Sequence, residues 1–389
     1  MGDDFKSIKR VLIRVDYNVP IHNGAISDLT RIQKTLPTIN YFLNLGKQIV
    51  LISHLGRPSA KNDNHSLKIV VKPLSILLNR KVFFYSEWLT NPINLEDQPD
   101  IILLENLRFY SGEIKNDIVF AEHLSRYGDI YVNDAFGVSH RHHASTFGIL
   151  QFFKQKYQGF LLSKEIQELT ELKNNNRKPF TVLVGGSKIG SKIHILKTFL
   201  SIADNILIGG GMAFPFIKRS GGEIGESLCL EKELDVVADF LFQATKTNTN
   251  IILPVDCVVT DSIQNRSNIS IAQINKISKN YMGVDIGPKT ISLFEKYILA
   301  SRLIMWNGPM GIAETEEFAQ GTKTIANLIV KATNLGAYSL IGGGDTVSDI
   351  SRFGLKSQFS YVSTGGGAML EFFKNNYLEP TKDLLKINK

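Results

Sequence analysis

Short apolar runs recur along the whole chain, each bounded by glycine, proline or polar residues. They are Val11–Val15, Gln48–Ile52, Lys81–Tyr85, Ile101–Leu104, Ile130–Val132, Thr181–Val184, Asn205–Ile208, Ile251–Val255, Leu303–Trp306, Ser339–Ile341 and Ser360–Ser363. They are nearly continuous rather than alternating with polar residues, which predicts strands covered on both faces. Between many of them the apolar residues repeat every three or four positions, as at Ile32, Leu36, Ile39 and Leu43, or at Phe318, Thr322, Ile325 and Ile329. That period predicts helices. Strands alternating with helices give βαβ units and a mainly parallel sheet. The predicted fold class is α/β, with two doubly wound parallel-sheet (Rossmann-like) domains.

A chain of 389 residues exceeds the usual size of one hydrophobic core, so two domains are expected. The junction falls around residues 155–175. There Leu161–Leu172 reads as a connecting hinge helix with Glu165 and Glu168 toward solvent, followed by the polar stretch Lys173–Pro179. The expected division is residues 1–160 and residues 161–373, and Tyr377–Lys389, too short for a domain, reads as a tail that packs back elsewhere.

The two halves end their strands differently. The first carries arginines, short acids and amides, and seven of the eight histidines, His194 being the exception. The second carries glycine clusters, Gly209-Gly210-Gly211, Gly342-Gly343-Gly344 and Gly365-Gly366-Gly367. Ligands of such sheets bind at the carboxyl ends of the strands. One edge lined with cations and one lined with bare backbone predict two anions, a small substrate on the first half and a nucleotide phosphate chain on the second.

Composition narrows the classes. Lys and Arg number 44 against 37 Asp and Glu, a formal charge of +7 that attracts anions. No run of five basic residues, zinc-finger spacing or aromatic RNA-recognition pattern is present, so no nucleic acid is expected. Two cysteines give neither a disulfide framework nor a metal quartet and fit a reducing compartment. The polar start Met1–Arg10 lacks the apolar core of a secretory signal, and no run approaches 18 apolar residues. The chain is therefore expected in the cytoplasm, away from any membrane.

In the glycine half, Gly185-Gly186-Ser187-Lys188-Ile189-Gly190-Ser191-Lys192 follows a strand. It lacks the Gly-Lys-Ser/Thr order of a P-loop. Lys188 and Lys192, four apart, share a face if they lie on a helix. They read either as phosphate-neutralising cations or as two solvated surface lysines. Asp345, in Gly344-Asp345-Thr346, reads either as a helix N-cap or as a ligand of nucleotide-bound Mg²⁺. The turn Trp306-Asn307-Gly308-Pro309-Met310-Gly311 precedes Glu314, which reads as a ribose contact or a solvated acid. The Gly-x-Gly-x-x-Gly fingerprint of a nicotinamide-dependent dehydrogenase is absent, since Gly209-x-Gly211 is followed by Phe214.

In the basic half, Asp16 and Asn18 close the first strand, Arg31 lies on the first helix, and His54, Arg57, Arg108 and Arg141 lie at or beyond later strand ends. Four guanidinium groups at one edge repel unless an anion lies among them, and arginine matches carboxylate and phosphate bidentately. The cluster His140-Arg141-His142-His143 also raises a metal site, but no matching ligand spacing exists elsewhere.

Taken together these segments resemble phosphoglycerate kinase in its compact bacterial form. The matching stretches are Arg14–Pro20, Ser53–Pro58, Leu104–Phe109, Asn133–Gly137, Gly185–Lys188, Gly209–Phe214, Pro254–Asp256, Asp285–Thr290, Trp306–Gly311, Gly342–Thr346 and Ser363–Ala368, in family order. The resemblance implies a reversible, Mg²⁺-dependent step of glycolysis: 1,3-bisphosphoglycerate and ADP give 3-phosphoglycerate and ATP. It assigns Asp16, Asn18, Arg31, His54, Arg57, Arg108 and Arg141 to the glycerate. It assigns Gly185, Gly186, Lys188, Lys192, Gly209, Gly210, Asn307, Pro309, Glu314, Gly342, Gly343, Gly344, Asp345 and Thr346 to the nucleotide, with Asp345 toward Mg²⁺. Arg31, Lys192, Gly343 and Gly366 are implied at the transferring group. A monomer whose two domains close on a hinge is implied as well, with residues 374–389 returning to the first domain.

Phosphoryl transfer of this kind rests on positioning and cations rather than on a general base. Four features depart from the family pattern: Ala313 in place of a bulkier residue, Pro215 after Phe214, His142 beside His143, and the poorly matching tail 375–389. Ala313 is expected to loosen the nucleoside edge and Pro215 to alter the start of its helix.

Overall fold

The structure is a computed structural model, and it describes residues 5–91, 94–174, 177–190 and 192–387. Ser191 of the glycine turn and Met1–Asp4 of the polar amino terminus lie outside the described residues. The chain forms two compact units, residues 1–173 with 367–389, and residues 174–366.

The first unit is built on a seven-stranded parallel sheet. Its order is Leu385–Lys386, Lys156–Gln158, Ile130–Asp134, Arg10–Val15, Gln48–Ile52, Ile101–Leu104 and Val82–Tyr85. The central strand pairs Arg14 with both Ile52 and Asn133. That register sends Asp16, His54 and the chain after Asp134 out at one carboxyl edge. The helix Thr30–Asn44 lays Ile32, Thr35, Ile39 and Phe42 on the sheet, where Val11, Ile13, Ile49 and Leu51 are fully buried. Its first turn is held by Asp28, whose carboxylate accepts from Thr30 N at 2.7 Å.

The tail belongs to this unit. Leu385–Lys386 adds the edge strand, Leu378, Leu384 and Ile387 are buried, and Glu379 Oε2 lies 2.8 Å from His142 Nε2. Strands of two and three residues carry no readable period, so this edge was not predicted. Glu165 departs from expectation: it is fully buried, not solvated. It falls on the inward stripe of the helix Phe160–Asn174 with Leu161, Leu169 and Leu172, a three-to-four spacing that a charge at one position disguised.

The second unit carries a six-stranded parallel sheet. Its order is Asn250–Ile252, Asn205–Ile208, Phe180–Val184, Leu303–Asn307, Tyr338–Gly342 and Tyr361–Val362. Trp306, Ile304, Ile325 and Phe294 sit in its core at 0% exposure. Here the run Ile251–Val255 is not one strand. It stops at Ile252, and after Pro254, which has no N–H to give, the chain opens a separate strand Asp256–Thr260. That strand pairs antiparallel with Ser270–Gln273 and Met282–Ile286 in a small sheet absent from the predicted architecture. The helix predicted from Phe318 begins at Gln320, Phe318 itself closing a short 3₁₀ turn.

Because three tail residues are buried in the first unit's core, deletion of residues 377–389 is expected to cost at least about 3 kcal/mol. Urea unfolding followed by circular dichroism checks this. An unchanged midpoint would contradict it.

Candidate functional site

In the first unit the strand ends are cross-linked before any ligand is considered. Gly56 has φ +66, and a Cβ there would lie 2.1 Å from the His65 ring, so only glycine fits the turn. The turn aims Gly56 O at Arg108, whose NH1 donates to it at 2.6 Å, while Gly56 N donates to Asn18 Oδ1 at 2.8 Å. Arg31 NH1 donates to Asp16 Oδ2 at 2.9 Å and to Asn18 O at 3.1 Å. The structure therefore brings Asp16, Asn18, Arg31, His54, Arg57, Arg108 and Arg141 to one edge. Arg141 and Arg31 both act electrostatically on His54, and Arg57 on Arg141.

Beneath this edge lies a layer that sequence reasoning missed. Arg14 is fully buried and donates to Ser145 Oγ at 2.8 Å and to the Val15 carbonyl. Its NH2 lies 3.8 Å from Glu113 Oε1, also fully buried. Ser145 donates to the same carboxylate, Oγ to Oε1 at 2.6 Å and N to Oε2 at 3.0 Å. The available signal was an arginine inside the apolar run Val11–Val15, because a buried guanidinium requires a buried counter-charge.

The charges do not balance. Arg14 pairs with Glu113 and Arg31 with Asp16, but Arg57, Arg108 and Arg141 form no ion pair among the described residues. Arg108 Nε is buried without an acceptor. Burial, and then the neighbouring Arg141 and Arg14, bring the Arg108 guanidinium down to about 10. Burial likewise holds His54 well below the usual histidine range, with Arg14, Arg108, Arg141 and Arg31 adding to it. His140 and His143 fall to about 4, again by burial first and arginines second. At neutral pH the edge thus holds charged arginines and uncharged imidazoles. The histidine run does not converge: His142 stacks edge-on against Phe147 at 4.5 Å and turns to Glu379. Among the described residues no group of three His, Cys, Asp or Glu is placed to hold a metal ion.

In the second unit the glycine turns interlock. Gly186 has φ +104 and donates to Pro309 O at 2.8 Å; Gly210 has φ +64 and donates to Met310 O at 3.0 Å. A Cβ on Gly185 would lie 2.1 Å from Pro309 O, and one on Gly366 2.7 Å from Gly343 Cα. Gly209 donates to Val184 O, and its missing side chain leaves room for Met310 Sδ. Gly343, φ +96, takes the N-cap position of the helix Gly344–Arg352, so Asp345 is not the cap. Gly342 ends its strand opposite Asn307, and Thr346 Oγ1 accepts from Gly308 N at 2.6 Å.

Lys188 and Lys192 do not share a helical face. The helix starts only at Ile193; Lys188 is exposed, and Lys192 turns inward to donate to Gly185 O at 2.6 Å. Burial pulls the Lys192 ammonium down to about 8, with Asp345 opposing. Asn307 Nδ2 is buried without an acceptor, and lies beside Gly343 and Gly366.

A cavity of about 500 Å³ adjoins this cluster. Its wall includes Gly186, Gly210, Pro309, Glu314 and Asp345, with Phe214 and Met282 supplying apolar surface. Ala313 does not itself line it: that side chain is fully buried and its carbonyl accepts from Arg352. Pro215 falls in the first turn of the helix Phe214–Arg219, where its missing N–H costs nothing, so it does not disturb that start. Asp285, missed as a support, accepts from Gly321 N at 2.6 Å, and its side chain fills the space a Cβ on Gly311 would need.

Two parallel α/β sheets, one edged with unpaired guanidinium groups and one with glycine backbone, a lysine and an orphan amide donor, define a phosphotransferase of small anions. The sequence profile of the phosphoglycerate kinase family matches residues 3–376, and the chain belongs to that family. It is 43% identical over 380 residues to a phosphoglycerate kinase of Dictyoglomus turgidum, covering 97% of this chain and 95% of that one. It is 44% identical over 376 residues to one of Thermosipho africanus, covering 95% and 93%. The solved phosphoglycerate kinase of Coxiella burnetii superposes with a TM-score of 0.81 at 39% identity, and that of Pyrococcus horikoshii with 0.83 at 30%; each match covers 96% of this chain and 95% of the other. The family reaction is the glycolytic phosphoryl transfer between 1,3-bisphosphoglycerate and ADP.

A polyphosphate beside Lys192 restores the ammonium's ordinary affinity for protons. With the free group near 8, binding at pH 8 is expected to take up roughly half a proton. Calorimetry with inorganic tripolyphosphate, in buffers of different ionisation enthalpy, measures this. The uptake is expected to vanish in Lys192→Met; equal uptake in both proteins would contradict the assignment.

Proposed function

We propose that this chain carries out the family reaction, with 3-phosphoglycerate or 1,3-bisphosphoglycerate held by the first unit and ATP or ADP by the second. The observation that carries the proposal is the excess of three guanidinium charges, Arg57, Arg108 and Arg141, over the paired ones. A phosphomonoester contributes about −1.5 to −2 at neutral pH and a carboxylate −1, so 3-phosphoglycerate offers close to the missing counter-charge. Asp16, Asn18, Arg31 and His54 complete its site.

For the nucleotide, Gly185, Gly186, Gly209, Gly210, Asn307, Pro309 and Glu314 are proposed to surround base, ribose and phosphates. Gly342, Gly343, Gly344 and Thr346 present the start of a helix to the phosphate chain. Lys188, being exposed, has at most an outer electrostatic part. Asp345 makes no hydrogen bond among the described residues, lines the cavity and sits in the first helical turn. A carboxylate without a hydrogen-bond partner, beside a phosphate site, suits Mg²⁺, which takes one or two carboxylates and completes its shell with phosphate oxygens and water. When bound, Mg²⁺ neutralises phosphate charge.

The chemistry asked of the chain's own residues is modest. The carboxylate of 3-phosphoglycerate is already ionised and needs no base. The γ-phosphoryl passes through a loose transition state whose charge spreads over its equatorial oxygens. Arg31 and Lys192 are proposed to neutralise that charge, with Gly343 and Gly366 admitting the phosphoryl close to backbone. Exclusion of water is required as well, because the acyl phosphate product hydrolyses readily. Action as a monomer in the cytoplasm, where the other steps of glycolysis run, completes the proposal.

The test is ATP consumption coupled to reduction of the acyl phosphate. Turnover is expected only with 3-phosphoglycerate, ATP and Mg²⁺ together. Arg31→Ala and Lys192→Ala are each expected to lower kcat by about 10³–10⁵. Near-normal turnover of Arg31→Ala would sink its assignment, and no turnover from folded wild-type protein would sink the whole proposal.

A further inference from the structure

We propose that Arg14, which lies below the substrate edge, is a positioning residue that holds His54 in the neutral tautomer protonated on Nε2. The inference rests on the functional reading above and deepens it for one residue.

An arginine has five N–H donors and no acceptor. Arg14 NH2 lies 3.2 Å from His54 Nδ1, so that nitrogen must be the acceptor and cannot carry the proton. The other tautomer would set an N–H against an N–H. The one carboxylate near the same nitrogen, Asp16 Oδ1, lies 3.9 Å away, beyond hydrogen-bond reach. Arg14 cannot swing aside to relieve the choice. Ser145 Oγ holds its Nε and the Val15 carbonyl its NH1, Glu113 Oε1 lies 3.8 Å from NH2 itself, and the side chain has no solvent exposure.

His54 is equally fixed, at 1% exposure. Burial and four surrounding arginines, Arg14, Arg108, Arg141 and Arg31, keep the ring uncharged. Its Nε2 makes no hydrogen bond among the described residues. The result is one N–H, of defined position, left for an oxygen of the anion. The hydrogen bond made by one ring nitrogen sets the state of the other, as second-shell partners do for metal-bound histidines. Adding one more cation among the arginines would increase their mutual repulsion. A neutral donor adds direction without charge, which suits a site that must also release its ligand.

The direct test needs no substrate. In ¹⁵N-labelled protein, long-range ¹H–¹⁵N correlations distinguish the two tautomers and the imidazolium, with the His54 signals assigned by their loss in His54→Gln. From pH 6 to 8 the expected pattern is an unprotonated Nδ1 and a protonated Nε2. Protonation at Nδ1, or an imidazolium, overturns the proposal. A second protein, Arg14→Met with Glu113→Gln to avoid stranding the buried carboxylate, is expected to show a mixture of tautomers. In it the KM for 3-phosphoglycerate is expected to rise about tenfold, the loss of one aligned donor to an anion. An unaltered Nε2–H tautomer in this variant overturns the role of Arg14. An inactive wild-type protein that still shows the Nε2–H tautomer overturns the kinase reading alone.

Discussion

Unpaired positive charge, held rigidly at the carboxyl edge of one sheet, is the constraint on which the first unit depends. Among the described residues Arg57, Arg108 and Arg141 have no carboxylate partners, and their mutual repulsion is borne by the scaffold beneath. That scaffold is ionic as well as apolar. The buried pair Arg14–Glu113, bridged by Ser145, stands behind these arginines, and breaking such a pair by removing one partner is far costlier than the pair's net worth. The unit stores an electrostatic deficit that a small polyanion completes.

The second unit has other means of meeting an anion. It offers backbone N–H groups and a helix start, which glycine exposes by having no Cβ. The turns lock one another: Gly186 on Pro309, Gly210 on Met310, Gly308 on Thr346. Lys192 turns its ammonium inward, already partly desolvated and bonded to Gly185 O, and Asn307 Nδ2 is a buried donor without an acceptor among the described residues, beside Gly343 and Gly366. Guanidinium forks suit an acceptor that must be gripped in one orientation; backbone amides suit a phosphate chain shared by ATP and ADP.

Much of this was legible in the sequence because it lies in strand ends. The buried parallel strands read as continuous apolar runs, and the residues that follow them were picked out by type and by the family resemblance. What was not legible depends on contacts between distant segments. Glu113 and Ser145 matter only through Arg14, 131 residues from Ser145 in the chain. Glu165 looked solvated because its charge outweighed its place on an apolar stripe. Lys188 and Lys192 looked equivalent until the turn sent one outward and the other in. The three-stranded antiparallel sheet around Asp256–Thr260 was hidden by running its first strand into the preceding one, although Pro254 marked the break. Pro215 was expected to alter the start of its helix by comparison with the family pattern and is accommodated in the first turn.

The measurement closest to the central claim is the affinity of the first unit's site for its anion when no nucleotide is present. Calorimetric titration of the whole protein with 3-phosphoglycerate and, separately, with glycerate isolates the phosphate's share of the missing counter-charge. If unpaired guanidinium charge governs the site, 3-phosphoglycerate binds at least about 100-fold more tightly, a difference of about 2.7 kcal/mol. Equal affinity for the two would contradict the account.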